Sequence, residues 1–222
     1  MEIYNSITRK KELFRPITKK NVRFYTCGPT VYNYAHIGNL RTFVFEDILK
    51  KTLIANDYPV TNIMNITDVD DKTIKKALEE HTTLAKVTRR YEKAFKQDLK
   101  SLNIASPTRF TRATEHINDM KKLISVLLKK KRAYIKDGSV YFSIKSFPHY
   151  GRLSRITAAS LKTNARGDVD EYEKEEVRDF ALWKATKEGE PSWPAPFGRG
   201  RPGWHIECSA MAMRYLKSPF DI

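Results

Sequence analysis

The first third of the chain combines short apolar runs with a segment whose apolar residues recur at helical spacing. Val22, Phe24 and Tyr25 form a run typical of a short buried strand. Apolar residues then recur every three or four positions in residues 40–53, which predicts a helix. Residues 59–66, rich in Val, Ile and Met, predict a second strand. A strand, a helix and a strand in this order imply two parallel strands joined by a right-handed crossover.

Further along the chain, the pattern predicts two more helices, a hairpin and a strand. Apolar residues recur at helical spacing in residues 84–102 and 113–132. Residues 134–144 alternate around the pair Asp137-Gly138, a strong signal for a β-hairpin. Residues 180–184 predict a short strand. Two stretches that are polar, or rich in Pro and Gly, predict irregular loops: residues 150–176 and 185–203.

Acidic residues cluster after the second predicted strand, at Asp68, Asp70 and Asp71. Clustered carboxylates suit a hard divalent cation. We favour the start of a helix, capped by Thr67 or Asp68, because lysines follow directly and the glycine turn of a calcium loop is absent from the sequence.

The turn between the first strand and the first helix carries candidate chemistry, in the stretch from Cys27 to Asn39. A helix start after a small-residue turn presents unpaired N–H groups and a positive dipole end, which suit a nucleotide phosphate. His36 adds a donor there, and Gly38 would let a flat purine approach the backbone. The alternative is an ordinary helix entry with a capping Asn39 and a packed His36. Ligands bind at the carboxyl ends of parallel strands, where this turn and residues 65–68 both fall.

Composition narrows the classes of partner. Lys and Arg outnumber Asp and Glu by 41 to 26, which gives a formal charge of +15 and favours a phosphate polymer as the partner. A solvated, Lys-rich surface is the alternative. No apolar stretch is long enough to span a bilayer and no signal-peptide core is present, so we expect no membrane partner and a cytoplasmic location. Six basic residues form the densest cluster: Lys121, Lys122, Lys129, Lys130, Lys131 and Arg132.

Only two cysteines occur, Cys27 and Cys208. Two distant cysteines make a poor disulfide framework, so buried, inert thiols are the default and a metal site is the alternative. Cys208 lies in residues 203–211, which would by themselves indicate a core helix with a packed Trp204.

Six blocks together resemble the cysteinyl-tRNA synthetases, a family of class I aminoacyl-tRNA synthetases. His36-Ile-Gly-Asn39 resembles the HIGH signature of that class, with Asn39 in place of the final His. An Asn can still donate a hydrogen bond to a phosphate or ribose oxygen. The blocks lie in this order: residues 27–41, 65–72, 150–154, 180–184, 189–193 and 200–211.

The resemblance implies an α/β fold, a Rossmann-like parallel sheet of the HIGH type with an inserted α+β connective module. Under it, residues 1–111 begin the nucleotide-binding catalytic domain, 112–200 form the inserted module and 201–222 return to the catalytic domain. The implied activity is that of a cysteine–tRNA ligase, which joins cysteine to ATP as cysteinyl-adenylate and then transfers it to the 3′ end of tRNA.

The resemblance also implies residue roles. His36 and Asn39 would be catalytic and would bind ATP together with Thr30 and Gly38. One Zn²⁺ would select cysteine by taking its thiolate as a ligand, and Mg²⁺ would accompany ATP. Two further sets follow: Gly28, Thr67 and Trp204 for the amino acid, and Cys27 and Cys208 for zinc.

The family's remaining zinc ligands, a His and a Glu, and its Lys-Met-Ser-Lys-Ser signature lie after the position that matches residue 222. We therefore expect this chain to be the N-terminal part of a longer enzyme, with little or no activity alone. Two alternatives stay open: a ligase that joins cysteine to an amino sugar in mycothiol synthesis, and a non-catalytic fragment that binds RNA or a protein.

Overall fold

The computed structural model describes residues 1–18, 21–154 and 179–222. They form two compact units, one of Met1–Arg15 with Met120–Ile206 and the other of Pro16–Asp119 with Glu207–Ile222. The helices and strands in chain order are β1 (Glu2–Asn5), β2 (Lys10–Leu13), β3 (Val22–Thr26), α1 (Ile37–Ala55), β4 (Val60–Ile66), α2 (Asp71–Glu79), α3 (Leu84–Ser101), β5 (Arg109–Arg112), α4 (Ile117–Lys129), β6 (Ala133–Lys136), β7 (Ser139–Phe142), β8 (Phe180–Ala185), β9 (Gly200–Pro202) and α5 (Trp204–Leu216).

A parallel sheet in the order β3-β4-β5 organises the unit that contains Pro16–Asp119. Val22 pairs with Val60, and Ile63 pairs with Arg109. The predicted strand-helix-strand unit and the α/β fold class are thereby confirmed. Strand β5 was not predicted, because its sequence Arg-Phe-Thr-Arg contains no apolar run.

One apolar cluster packs the helices onto this sheet. Phe43 of α1 and Phe95 of α3 meet edge to face, with ring centroids 4.9 Å apart. Met64 and Ile66 of β4 belong to the same cluster and are 4% and 0% exposed. The carboxyl end of β4 is therefore held in the buried apolar core.

The predicted cap of α2 is corrected. Asp70, not Thr67 or Asp68, is the N-cap, and its carboxylate accepts from the Lys72 N–H at 3.0 Å. Asp68 is buried and accepts instead from Thr114, from N–H at 2.9 Å and Oγ1 at 2.6 Å. Burial of Asp68 raises its pKa.

The helix predicted over residues 113–132 is present in part. It opens with a 3-10 turn at Ala113–His116 and continues as α4, which ends at Lys129. The predicted hairpin is confirmed as β6 and β7. Asp137 and Gly138 both have positive φ, 48° and 73°, as a type I′ turn requires.

The antiparallel sheet of the other unit has the order β6-β7-β8-β9. Strand β8 confirms the strand predicted at 180–184, but the loop predicted at 185–203 is wrong at Gly200–Pro202, which is β9. Gly200 suits this place because a Cβ there would lie 2.2 Å from the Lys184 carbonyl oxygen. Most of the loop predicted at 150–176 lies outside the described residues.

No helix in the described ranges is both long and apolar enough to cross a membrane. The cytoplasmic location stays a prediction.

Candidate functional site

The backbone pairing of β3 and β4 continues past the ends of both strands. Thr67 N–H donates to the Pro29 carbonyl, and Val31 N–H donates to the Thr67 carbonyl, each at 3.1 Å. Thr30 and Thr67 form a parallel bridge. The predicted convergence of the first turn and residues 65–68 at one sheet edge is therefore confirmed.

Gly28 makes this close approach possible. Its N–H donates to Asn65 Oδ1 at 2.9 Å, and a Cβ at this position would lie 1.8 Å from the Asn65 carbonyl oxygen. Any side chain there would collide with the β4 backbone. Gly28 is thus required for local packing, while a role in amino-acid binding stays a prediction.

His36 and Asn39 form a reciprocal capping box at the start of α1. His36 Nδ1 accepts from the Gly38 N–H at 3.1 Å, and Asn39 Oδ1 accepts from the His36 N–H at 3.3 Å. The capping alternative is therefore present in part: His36 is the N-cap, Asn39 is the N3 residue of the box, and His36 is exposed and not packed. The capping box leaves one donor group on each side chain available to a ligand. Because His36 Nδ1 accepts, a neutral imidazole carries its proton on Nε2, and because Asn39 Oδ1 accepts, the Asn39 amide nitrogen keeps its N–H groups for other partners.

The geometry of this turn requires a glycine at position 38 even when no nucleotide is bound. A Cβ on Gly38 would lie 2.9 Å from His36 Cε1 and 3.0 Å from Nδ1, so the glycine makes room for the imidazole. His36 and Asn39 are exposed. Their remaining donors can therefore reach a bound anion at the helix start.

Cys27, at the end of β3, and Cys208, in α5, are brought together. Their sulfurs lie 3.9 Å apart across 181 positions of sequence, and neither residue is in a disulfide. Two thiolates bound to one tetrahedral zinc at about 2.3 Å each lie about 3.8 Å apart. The pair thus fits zinc in donor type and separation.

In the three described ranges, no group of three or more His, Cys, Asp and Glu could hold a metal ion. A zinc ion on these thiols would therefore need ligands from elsewhere. The acidic cluster at 68–71 is not such a group: Asp70 caps α2, and Asp68 accepts hydrogen bonds from Thr114.

Electrostatics distinguish the two thiols. A hydrogen bond from Cys208 lowers the pKa of Cys27 to about 7, so Cys27 is the sulfur that ionises first. That hydrogen bond and burial raise the pKa of Cys208. Burial, with the thiols nearby, also raises the pKa of Tyr25.

Glu46, on α1, was missed by sequence reasoning. Burial raises its pKa to about 7, and the negative charge of Cys27 adds to the effect. One oxygen, Oε2, is buried without a hydrogen-bond partner. No local sequence signal marks this residue, because its burial depends on tertiary packing.

Asn65 and Glu207 were also missed as functional candidates. Asn65 Nδ2 donates to Thr67 Oγ1 at 3.2 Å, and Thr67 Oγ1 donates to Glu207 Oε2 at 3.0 Å. Thr67 is 1% exposed, so its hydroxyl lies within this buried network. Glu207 directly precedes Cys208, which was the available signal for that residue, whereas Asn65 is next to no cysteine and its role depends on tertiary contacts. Trp204 is described with the other unit, where it begins α5 and is 57% exposed.

The chain matches a family model over residues 13–222, and this model describes the catalytic domain of class I tRNA synthetases of type C. The chain belongs to this family. It is 52% identical over 222 residues to a cysteine–tRNA ligase of Solibacter usitatus and 51% identical over 223 residues to one of Brachyspira hyodysenteriae. These alignments cover 100% and 99% of this chain but only 48% and 47% of those relatives.

The fold is similar to that of Mycobacterium tuberculosis methionyl-tRNA synthetase in complex with methionyl-adenylate. The TM-score is 0.64 at 13% identity, over 90% of this chain and 47% of that one. The synthetase fold class predicted from the sequence is confirmed. The chain spans about half the length of the curated relatives it matches.

Proposed function

We propose that this chain is the ATP- and cysteine-binding portion of a cysteine–tRNA ligase. The observation that carries the proposal is the 3.9 Å approach of the Cys27 and Cys208 sulfurs in a member of this synthetase family. The relatives named cysteine–tRNA ligases are 52% and 51% identical to this chain over 100% and 99% of its length, which supports the same assignment.

Cys27 and Cys208 would hold the zinc ion, with further ligands from outside the described residues. Bound zinc supplies a Lewis acid that takes a thiolate as a ligand and so favours cysteine over serine. Cys27, whose pKa is lowered to about 7, would lose its proton most readily when a metal binds.

His36 and Asn39 would contact ATP through the donors that the capping box leaves in place, Nε2 and Nδ2. Together with the start of α1, they would stabilise negative charge on the phosphates while the carboxylate of cysteine attacks the α-phosphorus. Thr30 and Gly38 would line the ATP site, and Mg²⁺ would accompany ATP. Pyrophosphate leaves in this step, and cysteinyl-adenylate remains.

Gly28, Thr67 and Trp204 would line the site of the amino acid. Because the Thr67 hydroxyl donates to Glu207, we propose that Thr67 contributes through its backbone and methyl group.

We propose residues 112–200 as the inserted connective module, between catalytic-domain segments 1–111 and 201–222, and tRNA as the partner of the basic chain. The formal charge of +15 supports a phosphate polymer as the partner. The six basic residues from Lys121 to Arg132 are candidates for contact with the acceptor end.

The mycothiol-pathway ligase would share the zinc and the adenylate chemistry, so charging of tRNA^Cys with radiolabelled cysteine separates it from the proposed function. Cysteine-dependent exchange of pyrophosphate into ATP excludes the non-catalytic alternative. We expect the complete protein to show both activities and to contain about one zinc per chain. Exchange without tRNA charging would contradict the tRNA-ligase assignment.

A further inference from the structure

A continuous series of hydrogen bonds joins the segments that carry the two cysteines. It runs from Gly28 N–H to Asn65 Oδ1 at 2.9 Å, from Asn65 Nδ2 to Thr67 Oγ1 at 3.2 Å, and from Thr67 Oγ1 to Glu207 Oε2 at 3.0 Å. Gly28 directly follows Cys27, and Glu207 directly precedes Cys208. We call the side chains of Asn65, Thr67 and Glu207 the buried relay.

The buried relay has one consistent direction. Asn65 accepts through its oxygen and donates through its nitrogen, the Thr67 hydroxyl accepts and donates, and the Glu207 carboxylate accepts. A flipped Asn65 amide would turn its NH₂ group towards the Gly28 N–H, which also donates. The orientation of each side chain is therefore fixed by its neighbours.

Burial makes the relay stiff. Asn65, Thr67 and Glu207 are 2%, 1% and 1% exposed, so water cannot readily replace a lost partner. A buried polar group without a partner costs about 1–3 kcal/mol, and charged groups cost more. The carboxylate at the end of the relay strengthens the bond that it accepts.

We propose that Asn65 and Glu207 are positioning residues that hold Cys27 and Cys208 at the separation of a metal-bound thiolate pair. This inference rests on the proposed function, in which the two thiols bind zinc. The cysteines come from a strand end and from a helix 181 positions later, and no disulfide fixes their distance. The buried relay links the residue after one cysteine to the residue before the other.

A role in positioning the two sulfurs can be measured through metal affinity, because metal binding depends on precise ligand distances. Metal–ligand distances are kept within about 0.2 Å, so a shift of either backbone segment by a fraction of an ångström weakens the site. Loss of an outer-shell partner lowers metal affinity by about 10–100-fold. A network that only stabilised the fold would not affect thiol geometry selectively.

The test compares Asn65→Leu with Asn62→Leu in the complete protein. Asn62 lies on the same strand, is 4% exposed and donates to Phe24 O and Thr26 Oγ1, outside the buried relay. Zinc affinity is measured by competition with a chromophoric chelator. We expect Asn65→Leu to weaken zinc binding at least about tenfold and Asn62→Leu to change it by less than about threefold.

A second measurement needs no zinc. Phenylarsine oxide bridges two adjacent thiols with release of water, and intact mass reports its uptake by chelator-treated protein. Asn65→Leu and Glu207→Leu should weaken uptake at least about tenfold, while Glu207→Gln, which keeps an accepting oxygen for Thr67, should stay within about threefold of the parent.

The outcomes separate the two proposals. If the parent protein binds the arsenical but no zinc, and the variants follow the expected order, the positioning role stands and the zinc assignment fails. If Asn65→Leu weakens zinc binding no more than Asn62→Leu does, and takes up the arsenical as well as the parent does, the positioning role is overturned. Thermal unfolding of each variant identifies any that fails to fold, and Glu207→Leu against Glu207→Gln then decides.

Discussion

The His36 imidazole fills the space where a side chain at position 38 would stand. A Cβ on Gly38 would lie 2.9 Å from His36 Cε1, while the Gly38 N–H donates to His36 Nδ1 at 3.1 Å. The glycine thereby both orients and accommodates the histidine. In this HIGH-type turn, Gly38 therefore positions the side chain of His36.

Gly38→Ala should lower the rate of pyrophosphate exchange in the complete protein. The added methyl group displaces the imidazole, and a misplacement of about 1 Å at a reacting centre costs about 100-fold in rate. Zinc content should not change. Ile48→Ala, at a half-exposed position on the same helix, is the control and should retain the parent rate. An unchanged rate in Gly38→Ala would contradict a role for the oriented His36.

Gly28→Ala should destabilise the protein more than Gly189→Ala. A Cβ at position 28 would lie 1.8 Å from the Asn65 carbonyl oxygen, whereas one at Gly189 has no atom within 4 Å. Overpacking costs about 1–3 kcal/mol or more, while Gly189→Ala incurs only the strain of its positive φ, about 1–2 kcal/mol. Urea unfolding of the complete protein measures both, and equal losses would contradict the close approach.

Asp68→Ala should destabilise the protein more than Asp70→Ala. Asp70 is the N-cap of α2, and removal of a cap costs about 1 kcal/mol. Asp68 is buried and accepts two hydrogen bonds from the partly buried Thr114, so its removal leaves both Thr114 donors without this partner, at about 1–3 kcal/mol in total. The midpoint of urea unfolding reports the order, and the reverse order would contradict the contribution of the Asp68–Thr114 hydrogen bonds.

Glu46→Gln should stabilise the metal-depleted protein at about pH 8 and lose this advantage as the pH falls towards about 4.5. Burial raises the pKa of Glu46 from 4.5 to about 7, so the folded state binds its proton more tightly than the unfolded state does. Stability therefore falls as the pH rises through this window. Gln cannot ionise and avoids that loss.

The gain for Glu46→Gln should be about 1–2 kcal/mol at alkaline pH, after allowance for partial exposure of the carboxylate to water. Thermal unfolding of parent and variant at several pH values measures it. Parallel stability curves across that range would show that Glu46 ionises normally. Glu79→Gln, at an exposed carboxylate on α2, is the matched control and should show no such gain.

Local patterns in the sequence determined much of the fold. Apolar runs and helical spacing specified β3, β4, α1 and α3, and Asp137-Gly138 specified a hairpin, because these elements follow from the preferences of neighbouring residues. Strand β5 was not predicted, because its four residues include two arginines and its position is set by pairing with β4. Asp68 does not cap α2, because it accepts a hydrogen bond from Thr114, 46 positions away in the sequence. Asp70 is the cap instead.

The candidate site divides in the same way. Motifs in the sequence were sufficient to identify four candidate site residues, because the order of residue types resembles that of a known family. These residues are Cys27, His36, Asn39 and Cys208. Only the tertiary structure decided that the two sulfurs lie 3.9 Å apart and that Asn65 and Glu207 connect their segments. A distance across 181 positions, and the burial that makes a hydrogen bond difficult to replace, exist only once the sheet and α5 have packed.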